Sequence, residues 1–352
     1  MKAIFLCEHI AFWGMVALGA LSPAAVGQSQ VNSSNVNGVL NPVYFSGADI
    51  GAQINTAWGS GQGKTVRVPA GTYNFTTSIE HPGVGYELQC DAGAVLHYTG
   101  SGDAIILPST SGATTDGAGI DGEGGCQLTG TSSGKSGIHI HSSVHTFVRN
   151  MQISGFTGGY GIEISGGQSV GIAGNDIYSN KTGIYMVGES GGFAVVGTRI
   201  YDNNIHDNQW GVDSENVHCC STNNGNFIIS NVIENNTVGG VALNWEHGAV
   251  VESNYFENAG VQIEIGVGSD NVYAVNIVHN YFTENPSDTI QLGYGIGFHF
   301  EDNSGVPGTA PKCFINEVTG SLGGLSGVRG VGTNYPGSAA EFCKHETPTT
   351  TP

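Results

Sequence analysis

Five side chains converge when the chain is sorted by pattern alone: Asp213, Glu215, Asn244, Glu246 and Glu264. Each lies in a short segment of alternating apolar and polar residues, and alternation along a strand sends successive side chains to opposite faces. Val212 and Ser214 then point inward, as do Ile162 and Ile164, Ile184 and Met186, Val241 and Leu243, Val261 and Ile263, and Ile290 and Leu292. Stacking the segments at about 4.8 Å makes two outward columns. One reads Glu163, Tyr185, Asp213, Ala242, Gln262, Gln291; the other reads Ser165, Val187, Glu215, Asn244, Glu264, Gly293, with Glu246 just beyond Asn244. Crowded carboxylates repel, so one holds its proton while another ionises. A neutral acid beside an ionised base or nucleophile is what glycosidic cleavage requires. The pattern names Asp213 and Glu246 as the acid/base pair, with Glu215 and Glu264 as helpers. No cofactor is required for that chemistry, although the oxygens of Asp213, Glu215 and Glu246 would also suit calcium. The plainer alternative is a solvated polar face, since an acidic chain places acids outward anyway.

Around these acids stand residues suited to holding a sugar. Tyr185 and Trp210 offer rings, Asn244 an amide, and His218 and His247 polar tips at strand ends. Arg199 and Lys181 are among the few basic residues, and a cation beside a base would serve β-elimination from a uronate. The competing reading pairs them locally with Asp202 or Asp176. Strict alternation turns Trp245 inward. His139, His141 and His145 form a His-x-His-x-x-x-His run whose first two members share a face at metal-ligand spacing. No carboxylate or cysteine nearby in sequence completes that set, so it reads as a polar strand edge.

The elements that must position these groups come from a repeat. Asn175-Asp-Ile177, Asn203-Asn-Ile205, Asn231-Val-Ile233, Asn254-Tyr-Phe256 and Asn280-Tyr-Phe282 recur at steps of 28, 28, 23 and 26 residues. A second asparagine follows each: Asn180, Asn208, Asn236, Asn258 and Asn285. One strand pattern per fixed period marks a solenoid whose coils bury their apolar faces on one another. The asparagines read as structural, suited to left-handed bends and local backbone bonds. Asp49 to Trp58 reads as an amphipathic helix with Ile50, Ile54 and Trp58 on one face, capping the first coil.

Composition narrows the function. Of 352 residues 57 are glycine, 11% are charged and the formal net charge is −19. That charge argues against nucleic acid and anionic membranes as partners. Residues 1–27 read as a signal peptide, with Lys2, an apolar run from Ile10 to Leu21 and a small-residue cleavage site. The expected destination is secreted or periplasmic, and no later segment is long enough to span a bilayer. Residues 28–45 read as a linker, 46–305 as the solenoid, and 306–352 as a C-terminal cap with a disordered tail. Beyond Cys7 in the leader, Cys90, Cys126, Cys219, Cys220, Cys313 and Cys343 remain, an even count that fits disulfides in an exported chain. Cys90 with Cys126 and Cys313 with Cys343 are the natural partners by position.

Val66-x-Val-Pro-x-Gly-x-Tyr-x-Phe75 after a capping helix, followed by the asparagine coils, resembles the pectin-lyase-like superfamily over residues 46 to 300. The resemblance implies an all-β, single-stranded right-handed parallel β-helix with a short N-terminal capping helix. It also implies a polysaccharide substrate bound in a groove along the helix. It transfers no catalytic residue, because the Asp-Asp, Gly-His-Gly, Arg-x-Lys and Asp-Pro-His signatures of its best-known branches are missing. Three readings remain open. The first is a glycoside hydrolase using the carboxylates. The second is a calcium-assisted uronate lyase using Arg199 or Lys181. The third is a non-catalytic glycan-binding surface β-helix.

Overall fold

The computed structural model describes residues 35–107, 115–189, 193–215, 222–267, 272–283, 288–293, 295–305, 313–317, 329–331 and 340–343. Short strands stack coil on coil into a 21-stranded and a 15-stranded sheet. Every described strand pairing is parallel, except the hairpin of Asn35–Val36 with Val39–Leu40. A representative coil runs through Gly171–Ala173 and Asp176–Tyr178 in the larger sheet, then Thr182–Val187 and Val195–Val196 in the smaller one.

The interior is a set of aligned apolar columns. Ile138, Ile162, Ile184, Val212, Val241, Ile263 and Ile290 lie one above the other by register. Beside them runs Ile140, Ile164, Met186, Ser214, Leu243, Ile265 and Leu292, with Ser214 the single polar member. All of these side chains are buried, so coil stacking is the hydrophobic core. One coil departs from the expected sorting. Val241 pairs with Ile263, so Ile263 and Ile265 fill the core rather than Val261 and Ile263. Gln262 turns inside and Glu264 moves to the column of Asp213.

The asparagines are structural, by a different device from the expected one. Asn175, Asn203, Asn231, Asn254, Asn280 and Asn303 are buried and stacked. Each backbone N–H donates to the next asparagine's Oδ1, for example Asn203 to Asn231 at 3.0 Å and Asn231 to Asn254 at 2.9 Å. A parallel ladder runs through Asn180, Asn208, Asn236 and Asn258 and ends on Gln262 Oε1, 3.1 Å from the Asn258 N–H. The left-handed bend falls on the residue before each rung: Asp202 (φ 55°), Ser230 (φ 55°), Ser253 (φ 56°), His279 (φ 57°) and Asp302 (φ 47°). The preceding residue turns the chain, and the asparagine satisfies the backbone groups the bend exposes. Asn231→Ala strands the buried Asn203 N–H and removes three donations from Asn231 Nδ2, to the Ile200 and Ile229 carbonyls and Asn254 Oδ1. The expected cost is about 2–3 kcal/mol, read from the denaturant midpoint.

The helix spans Ile50–Gly59, with Asp49 Oδ1 accepting from the Ala52 N–H at 3.0 Å as N-cap. Its Ile50, Ile54, Ala57 and Trp58 are buried against the first coil. Asp49 Oδ2 also accepts from the Thr76 and Thr77 N–H groups, pinning helix to coil. Residues 35–45 are no linker. Their hairpin buries Leu40 and aligns Val39–Leu40 with Thr65–Val68, and Pro42–Tyr44 form a 3-10 turn. Nor do the sheets end near 305. Cys313–Glu317, Arg329–Val331 and Ala340–Cys343 extend them. The stack outlasts the asparagine punctuation by which the sequence marks it.

Cys90 and Cys126 are disulfide-bonded, as expected. The side chains of Cys313 and Cys343, together with Cys219, Cys220, the signal peptide and the tail, lie outside the described residues. Among the described residues no helix is long and apolar enough to cross a membrane.

Candidate active site

The outer face of the smaller sheet carries the titratable groups. Register runs His139, Glu163, Tyr185, Asp213, Ala242, Glu264 and Gln291 up one column. His141, Ser165, Val187 and Glu215 form the next. Asn244 continues it, its N–H donating to the Ser214 carbonyl at 2.9 Å.

Asp213 is the pivot. It is only 8% exposed although it points outward, because Tyr185 and its neighbours wall it in. Burial, then the charges of Glu215 and Glu264, push its pKa up to about 7, and Lys181 pulls the other way. Its Oδ1 is buried without a hydrogen-bond partner among the described residues. A protonated carboxyl tolerates that position far better than a carboxylate does. Burial likewise raises Glu264, opposed by a hydrogen bond from Asn244. Glu215 is held differently: the Tyr185 hydroxyl donates to its Oε2 at 3.1 Å. Between Asp213 and Glu264 the column holds the small side chain of Ala242, itself buried.

The expected site residues divide. Asp213, Glu215, Glu264, Asn244 and Lys181 share this face. Tyr185 does too, but it is no sugar platform. It is buried, one face stacks on Tyr160 at 4.2 Å and 5°, and its hydroxyl orients Glu215. Trp210 lies against the next coil, over Gly239, where an added Cβ would meet its ring at 2.2 Å. His247 sits one strand further round the coil, aligned with Asn224 and edge-on to Tyr273 at 4.7 Å, and burial lowers its pKa. Arg199 is on the larger sheet, its guanidinium over Phe227 at 5.8 Å beside a hollow of about 330 Å³, and plays no part among these acids. His218 lies outside the described residues.

Glu246 requires correction. It is fully buried inside the solenoid, where its Oε1 accepts from Ser214 Oγ at 2.7 Å and Asn226 Nδ2 at 3.0 Å. The bend at Asn244 and Trp245 resets the alternation, so Glu246 turns inward and Trp245 stays half-exposed. The pair Asp213 with Glu246 therefore does not face one substrate, and a calcium set of Asp213, Glu215 and Glu246 does not assemble.

A second cluster was not legible as one. His139 was expected to lack carboxylate company, yet Asp103 and Glu163 flank it, with ligand-capable atoms of all three within 4.8 Å. His139 Nδ1 meets Asp103 Oδ2 at 3.0 Å, and its Nε2 meets Ser165 Oγ at 2.9 Å. Ser136 Oγ donates to Glu163 Oε2 at 2.6 Å, and Lys135 Nζ stands 3.3 Å from the same oxygen. His141 pairs with Glu189 at 2.5 Å. Aligning His139 one coil below Glu163 is the signal that would have found this group, since the partners are distant in sequence and adjacent in register.

The sequence matches the family described as "Right handed beta helix region" over residues 95–218 and 136–307, together more than half of the chain. No curated protein matches it. Among solved structures, ORF18 of Geobacillus virus E2 is similar with a TM-score of 0.67 at 14% identity, covering 95% of this chain and 66% of that one. The chain thus spans a little under two thirds of that protein. A DFA-IIIase from Arthrobacter chlorophenolicus A6 in complex with DFA-III gives 0.61 at 13% identity, covering 84% of each chain. An alginate lyase from Paenibacillus sp. str. FPU-7 gives 0.57 at 14% identity, covering 78% of this chain and 97% of that one. At these identities the likeness is one of fold.

Proposed function

Since the chain belongs to the right-handed β-helix family, we propose that it is an exported polysaccharide-degrading enzyme that hydrolyses glycosidic bonds on the outer face of its smaller sheet. The observation that carries this reading is Asp213: an outward carboxyl held near neutral pKa by burial between two other acids. Asp213 is the general acid that protonates the leaving oxygen. Glu215 is the base, its carboxyl oriented by the hydrogen bond its Oε2 accepts from the Tyr185 hydroxyl. Glu264 helps keep Asp213 protonated. The acidic face and the −19 charge favour a neutral glycan over a uronate. The disulfide fits export to an oxidising compartment, and named fold neighbours that act on carbohydrate, the DFA-IIIase and the alginate lyase, agree with the substrate class.

The test is a panel of neutral and uronic polysaccharides, with and without a chelator, followed by reducing-end and near-ultraviolet readouts. New reducing ends without absorbance are expected. Absorbance from unsaturated uronides means a lyase and overturns the hydrolytic mechanism, and its loss with chelator assigns calcium to it. Binding to a glycan with neither signal supports a non-catalytic β-helix instead.

A further inference from the structure

The cluster three to five coils below Ala242 has a geometry that glycoside cleavage does not use. We propose that Ser165, His139 and Asp103 form a second active site, a nucleophile–base–orienter relay that hydrolyses small carboxylic esters. Three successive coils supply the members, so parallel register rather than sequence proximity assembles them. Asp103 Oδ2 lies 3.0 Å from His139 Nδ1, and His139 Nε2 lies 2.9 Å from Ser165 Oγ. That chain of contacts defines such a relay on any fold, whatever the order of its members in sequence.

The proton positions follow from the partners. Burial pushes the Asp103 carboxyl up, but the hydrogen bond and charge of His139, with Lys135 and Ser136 behind them, together hold it below its usual range. Asp103 is therefore an acceptor, and the proton belongs on His139 Nδ1. With the proton there, Nε2 is the acceptor that faces the Ser165 hydroxyl. The rival acceptor, Glu163 Oε1, is further away at 3.3 Å, while Ser136 and Lys135 hold the other oxygen, Oε2.

In the reaction Ser165 Oγ attacks the ester carbonyl and His139 Nε2 takes the hydroxyl proton. Lys135, half-exposed and paired with Glu163 Oε2 at 3.3 Å, is the cation at hand to stabilise the tetrahedral oxygen. Collapse breaks the carbonyl–alkoxy bond, and the alcohol leaves with the proton from His139. Water, deprotonated by His139, then releases the carboxylic acid and restores Ser165. Ester and water become acid and alcohol, with no other reactant. Ser165 is only 5% exposed on the groove floor, which restricts the acyl group to a small one such as acetyl.

The experiment uses the full chain with p-nitrophenyl acetate and a fluorophosphonate probe. Hydrolysis is expected, with a covalent adduct mapped to the Ser165 peptide. Ser165→Ala and His139→Gln should each lower the rate about 10³-fold or more. Arg199→Gln, on the other sheet, should leave it unchanged. Circular dichroism and melting curves confirm that Ser165→Ala, which only deletes an oxygen, stays folded. Absence of adduct and hydrolysis in the wild type, or undiminished hydrolysis in folded Ser165→Ala, overturns the proposal. Hydrolysis abolished by a chelator overturns it as well, because it would assign the chemistry to a metal on Asp103, His139 and Glu163.

Discussion

Asp213→Asn should lower glycan cleavage about 10³-fold in kcat, within the range that general acid catalysis contributes, while raising the melting temperature above pH 7. The two effects have one cause. In the unfolded chain Asp213 loses its proton near 3.8, and in the folded protein it keeps it to about 7. Between these values the native state binds more protons than the unfolded state. The stabilisation is therefore complete below about pH 4 and is lost as pH rises through about 7. The three-unit gap corresponds to a ceiling on the order of 4 kcal/mol. Asparagine is neutral at every pH and avoids that loss, but it cannot donate a proton to a leaving oxygen. In the wild type, cleavage should fall as pH rises through about 7, because the acid must be protonated to work. Reducing-end kinetics and calorimetry at pH 6 and pH 8 read both halves. Full activity in Asp213→Asn would sink the assignment. Lost activity together with a lowered melting temperature would make Asp213 a structural residue.

The sequence carried most of this fold because the parallel register repeats one physical rule. Ile184, Val212 and Val241 share a column since each coil buries its apolar face on the last, and alternation alone places Asp213 and Glu215 outward. The rule fails where the backbone departs from a regular strand. The bend at Asn244 and Trp245 sends Glu246 inward, a choice invisible to counting in twos. Gln262 ends the amide ladder by capping Asn258, and in that strand Glu264 stands above Ala242. The Asp103, His139 and Ser165 group was missed for a further reason. Its members are 36 and 26 residues apart, and only the alignment of the early, less regular coils brings them together. Arg199 shows the converse: its charge suggested a role, but the strand Arg199–Tyr201 belongs to the other sheet.

Glu246→Ala should cost about 4 kcal/mol of stability, whereas Glu246→Gln should leave glycan cleavage intact. Glu246 is fully buried, and burial lifts its pKa to about 7 against the pull of Ser214 and Asn226. Alanine leaves the Ser214 hydroxyl without its acceptor and costs the Asn226 amide one of its two, beside an empty space. Glutamine keeps an oxygen at the Oε1 position, where both donors converge. Ser214 is the one polar break in its apolar column, so Ser214, Glu246 and Asn226 form one matched buried unit. The sign of the pH dependence follows that of Asp213. Unfolded, the group ionises near 4.5; folded, near 7. Its contribution is full below about 4.5 and lost by about 7, so Glu246→Gln should gain most over wild type in alkaline buffer. Melting curves of the three proteins at pH 5 and pH 8 decide it. If Glu246→Gln abolished cleavage without unfolding, the carboxylate would belong to the chemistry after all, and the inward orientation that excludes it from the groove would be wrong.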